Sequence, residues 1–215
     1  MSVRLVDDIT AQCVRLITEL GYTAPDLAAY PDTPVGFSDY IGDSGLHHFD
    51  GKELARCHNP RLMHSVLGRD WDLPEHAWWS RILAVACVAD RLRRRLGQPV
   101  AWAWGYRRSD PDANVNKLAH GEPDSDHVYA LAADLDHPTI GLAREAEAWL
   151  VEFRRRFPWA YVSLGFAAQR QHVGLFRPAG EDHHNLHARS WVYESRRADL
   201  GRVLLEAEHS RPFKL

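Results

Sequence analysis

The run from Glu75 to Leu96 constrains the fold more than any other stretch of this chain. Trp78, Trp79, Ile82, Leu83, Val85, Ala86, Val88, Ala89 and Leu92 recur at helical spacing and give a broad apolar face that demands burial. Pro74 stands at the entry, and Arg93, Arg94 and Arg95 suit the negative end of the helix dipole. Gly97 ends the helix and Pro99 forbids its continuation. The segment that follows, Val-Ala-Trp-Ala-Trp-Gly-Tyr, alternates and is aromatic, as a strand is.

Around this pair the pattern predicts further helices and short strands. Val6, Ile9, Cys13, Leu16, Ile17 and Leu20 define an amphipathic helix stopped by Gly21. Residues 22–45, rich in Pro, Gly, Asp and Ser, read as a long loop anchored by Tyr30, Phe37 and Tyr40. A second long helix fits Thr139–Phe157, with Thr139 as its N-cap. Three strand-like stretches follow, Ala160–Phe166, His172–Arg177 and Leu186–Tyr193, and a closing helix is expected over 195–208. The expected class is α+β, with a small antiparallel sheet flanked by helices. Residues 1–45 read as a helical and loop extension, and 46–215 as the main domain.

Composition narrows the function classes. With 26 Lys+Arg against 29 Asp+Glu and a formal charge of -3, a strongly basic nucleic-acid binder is not expected. No apolar run approaches the ~18 residues of a membrane span. Asp7 and Asp8 fall where a signal peptide's apolar centre should lie, so synthesis without a secretory signal is expected. Cys13, Cys57 and Cys87 are scattered and odd in number, which suggests a reducing compartment and no disulfide framework. The histidines are the excess: there are 13 of them.

His127 and Asp134 lie seven residues apart around an Ala-rich turn, Asp-His-Val-Tyr-Ala-Leu-Ala-Ala-Asp-Leu-Asp. Such a pair with one distant histidine supplies three protein ligands to zinc and leaves a fourth position for water. The late cluster Asp182, His183, His184 and His187 offers the distant ligand. Asp136 competes with Asp134, and surface or core histidines are the plain alternative to any metal site. His120 and His137, which flank the pair, are expected on the solvent side, whereas Trp102, Trp104 and Trp191 are expected in the core.

The same residues carry a resemblance. Ser125-Asp-His127-Val-Tyr-Ala130-Leu-Ala132-Ala-Asp134 resembles the Ser-x-His-x-x-Gly-x-Ala-x-Asp signature of the zinc D-Ala-D-Ala carboxypeptidases and related peptidoglycan peptidases, with Ala130 in place of Gly. His48-Phe49 and Glu53-Leu54 look like that family's opening. Gly97-Gln-Pro-Val100, the strand and Gly105-Tyr106-Arg107 resemble its helix–strand block. Asn116, Gly121, Pro123 and Ser125 keep the spacings of its next loop, and His172-Val-Gly-Leu-Phe176 resembles its Gly-Val-Gly-Leu-Tyr strand. The likeness covers about residues 46–193 and implies the hedgehog/DD-peptidase-like zinc fold. It also implies Zn2+ as cofactor, held by His127, Asp134 and His187, and hydrolysis of an amide bond in a peptidoglycan-like peptide. Arg107 or Arg108 would stabilise the oxyanion or hold a substrate carboxylate, and Ser125 and Asn116 would help order the substrate site. Release as a phage-type lysin would suit such an enzyme without a signal peptide.

Two departures bear on mechanism. Where family members place a glutamate base three residues before the last histidine ligand, this chain has His184. Where others place an aspartate two residues after it, this chain has Arg189. His184 can itself act as base, because imidazole titrates near neutrality. At an odd offset on a strand, however, it faces away from His187 unless a bulge intervenes. Glu181 and Asp182 are the alternative bases. The remaining alternatives are a metal-binding or structural protein without hydrolysis, and a zinc enzyme acting on a substrate other than peptidoglycan.

Overall fold

The computed structural model describes residues 3–56, 64, 68–69, 71–107, 126–160, 162–167, 170–176 and 190–192. Helix α1 (Val3–Glu19) buries Ile9, Cys13, Leu16 and Ile17 on one face, and Gly21 at φ +81° turns the chain away. Leu16 and Ile17 are fully buried, and each contributes roughly 1.5–3 kcal/mol by leaving water. The segment expected as a loop contains a helix, α2 (Pro34–Gly42). Thr33 caps it by accepting the Gly36 N–H, Pro34 sits at its first turn, and Phe37, Tyr40 and Ile41 face inward. The polar composition hid this three-residue apolar stripe. A single turn, α3 (Gly51–Leu54), follows.

The long apolar run forms a 3-10 turn (His76–Trp78) and then α4 (Trp79–Leu96). Gly97 closes it in the left-handed conformation at φ +61°. Helix α4 is central: it packs on α1, on α5 (Ile140–Arg156, capped by Thr139) and on the sheet. Its buried Asp90 collects four hydrogen bonds, from Tyr22 Oη (2.6 Å), the backbone N–H groups of His47 (3.2 Å) and His48 (2.9 Å), and His48 Nδ1 (2.9 Å). This network fastens two N-terminal segments to α4.

Among the described residues, five strands form one sheet in the order β1-β2-β4-β3-β5, where β1 is Ala101–Trp104, β2 Ala132–Asp136, β3 Val162–Ala167, β4 Arg170–Leu175 and β5 Ser190–Val192. The first four are antiparallel neighbours, whereas β5 runs parallel to β3, a pairing the adjacent-strand pattern did not suggest. The α+β class holds. Two further corrections concern the region after His127. The Ala-rich stretch is a turn only at its start, over Asp126–Tyr129; Ala132–Asp136 is strand β2, inside the sheet between β1 and β4, where small side chains suit burial on both faces. His137, expected in solvent, is 3% exposed. The expected helix 195–208 lies outside the described residues.

Ala133 and Leu135 of β2, Val173 and Leu175 of β4, and Val162 and Leu164 of β3 belong to the core that also holds α1, α2, α4 and α5. Asp134 therefore lies on the opposite face of the sheet, because successive strand residues alternate.

Candidate metal centre

Register builds the site. In β2 and β4, Asp134 stands directly opposite His172, so both side chains leave the sheet on the same face. On the far side of His172 stands Gly165 of β3, which sends no side chain into that face. On the near side the register with β1 shifts between Trp102 and Trp104. Trp102 pairs with Leu135 and enters the core, whereas Trp104 pairs with Asp134 and joins the site face. Without the irregularity, two tryptophans at i and i+2 would share a face. The expectation of a core position thus holds for Trp102, and Trp104 instead borders the site.

His127 arrives from the 3-10 turn Asp126–Tyr129 that leads into β2. The turn closes with Leu131 N–H donating to Asp126 O (3.0 Å) and Ala130 at φ +58°. Glycine adopts such a left-handed backbone without strain, and here an alanine does so. His127 Nδ1 lies 2.7 Å from Gly105 O. A carbonyl only accepts, so Nδ1 carries the proton and Nε2 presents its lone pair inward.

Three ligand atoms converge there. His127 Nε2 is 3.2 Å from His172 Nδ1 and 3.6 Å from Asp134 Oδ1, and His172 Nδ1 is 2.9 Å from Asp134 Oδ1. Ligand atoms on a tetrahedral ion with bonds of roughly 2.0–2.1 Å stand about 3.3 Å apart. The triangle has the dimensions of one face of such a site, and the group could hold a metal ion. All three side chains are buried. Burial pushes the His127 pKa down, against the opposing pull of Asp134, and keeps its imidazole neutral. Burial pushes the Asp134 pKa up, but the neighbouring His127 and His172 outweigh it and hold its carboxyl well below the usual range. A neutral imidazole and an ionised carboxylate are the forms that bind metals. Arg107 Nη2 donates to Asp134 Oδ2 at 3.1 Å, and the Arg107 backbone N–H donates to His127 O at 3.1 Å.

No family model matches the chain. No curated protein and no solved structure matches it either.

Of the expected site residues, the fold brings together His127, Asp134 and Arg107. His187, His184, Glu181, Asp182, Arg108, Ser125 and Asn116 lie outside the described residues. Asp136, the competing carboxylate, is engaged elsewhere. Arg170 grips it at 2.7 and 3.3 Å and lies over Trp104, 4.2 Å from the ring centre. Sequence reasoning placed His172 on a strand but not among the ligands. The signal for it was a histidine at the start of an alternating strand in a chain where Asp134 also alternates with apolar neighbours.

Proposed function

We propose that this protein is a zinc-dependent hydrolase of amide bonds, with a peptide of the peptidoglycan type as its substrate. One observation supports the reading above all: two positions of the peptidase-like signature, His127 and Asp134, meet His172 in a buried triangle of ligand atoms. His127 Nε2, Asp134 Oδ1 and His172 Nδ1 would hold the ion, and zinc supplies Lewis acidity toward a carbonyl together with an acidified water. The chain's own part is preparation. Gly105 O fixes the His127 tautomer, and the buried sheet face keeps both imidazoles positioned without solvent competition. Proton transfer falls to His184, Glu181 or Asp182, on the reading of the sequence.

A specific observation favours a second reading. His172 joins a ligand set that the resemblance completes with His187, and four protein ligands would close the ion to substrate. The protein would then bind metal without hydrolysis.

Metal analysis of the purified protein, followed by incubation with peptidoglycan and assay of newly released amines, separates the two. Stoichiometric zinc with amine release that disappears in His127→Ala supports the hydrolase. Stoichiometric zinc with no release supports the closed site, and no metal of any kind removes both readings.

A further inference from the structure

We propose that Arg107 is a positioning residue of the metal centre, which decides which oxygen of Asp134 faces the ion; this rests on His127, Asp134 and His172 being the ligands. The two oxygens of Asp134 have different neighbours. Oδ1 is the one 2.9 Å from His172 Nδ1 and 3.6 Å from His127 Nε2, whereas Oδ2 accepts from Arg107 Nη2 at 3.1 Å. A carboxylate with both oxygens free can swing to grip an ion with both, and one held at Oδ2 by a cation presents Oδ1 alone.

Arg107 is well placed to hold rather than to meet a substrate. It is 8% exposed, and its guanidinium carbon lies 5.1 Å from the centre of the Trp104 ring, which limits its swing. Its backbone N–H is bonded to His127 O, and the carbonyl two residues earlier, Gly105 O, receives His127 Nδ1. The segment 105–107 thus grips both ligand-bearing segments: the turn through its backbone and β2 through the guanidinium. The arrangement also offsets the charge of Asp134, so a bound divalent ion keeps most of its own charge for an incoming ligand.

The test compares wild type with Arg107→Met and Arg107→Lys. Zinc affinity is measured by competition with a chromophoric chelator, folding by circular dichroism, and coordination by the visible spectrum of the Co2+-loaded proteins. Arg107→Met is expected to fold, to bind zinc with unchanged stoichiometry but about 10–100-fold more weakly, and to show an altered Co2+ spectrum. Arg107→Lys keeps the charge and is expected to lose less than about 10-fold, with a spectrum near wild type. Should the Met variant not fold, Arg107→Gln, neutral and polar, takes its place, and identity with wild type in both affinity and spectrum overturns the proposal. Wild-type affinity and spectrum in Arg107→Met overturn it alone. Absence of zinc and Co2+ binding in wild type overturns the ligand assignment with it.

Discussion

Ala130 sits at φ +58°, fully buried, one residue beyond the turn that carries His127. A β-carbon in the left-handed region costs roughly 1–2 kcal/mol, while the buried methyl returns about 0.8 kcal/mol by leaving water. Ala130→Gly should therefore stay within about 1 kcal/mol of wild type in urea unfolding. Ala130→Val, β-branched and strained at that φ, should lose more than about 2 kcal/mol. Equal stability of the Val variant would show that the turn does not require this backbone. Gly105 is the second sensitive residue, for a different reason: an added β-carbon would lie 2.7 Å from the Trp102 ring. Ring or backbone must then shift, and the backbone includes the carbonyl that orients His127. Gly105→Ala is expected to weaken zinc binding by about 10-fold or more, as loss of an outer-shell partner does. Zinc affinity equal to wild type would count against that coupling.

Among the elements, α2 and β2 show what a sequence does not advertise. Helix α2 hangs on a short signal, the Thr33 cap before Pro34, so Thr33→Ala should cost about 1 kcal/mol, read by thermal unfolding. No change would mean that the apolar stripe alone holds the helix. The long helices were legible because eighteen or so residues repeat one period and end in recognisable caps. Strand β2 was not, since Ala132 and Ala133 have little strand preference and are strand residues only by packing between β1 and β4. His172 was missed for a related reason. Its partnership with Asp134 is a matter of register between strands 38 residues apart, and register follows from the whole sheet, not from either segment. His127 and Asp134 were legible because one turn and one strand fix their separation locally.

For the whole molecule, the α+β class was readable from the order of helices and strands, but the parallel β5 was not, because nothing local specifies the direction in which a late strand returns. The buried residues also include His137, whose ring nitrogens have no hydrogen-bond partner among the described residues. Burial pushes its pKa down to about 4, with Asp136 pulling the other way. The unfolded chain takes up this proton near pH 6.5 and the folded chain only near 4, so between them acid favours unfolding. The contribution is whole above pH 6.5 and is lost as pH falls toward 4, at up to about 1.4 kcal/mol per unit. His137→Phe should flatten that part of the stability–pH curve, and an unchanged slope would place the acid sensitivity elsewhere. The central claim, that His127 and Asp134 form one metal centre with His172 from a strand remote in sequence, is tested most directly by zinc titration of wild type and His172→Ala under the same conditions. About one ion per chain in wild type, with affinity reduced more than about 100-fold in the variant, is the expected result. Wild-type affinity in His172→Ala, or no zinc bound by wild type, would contradict it.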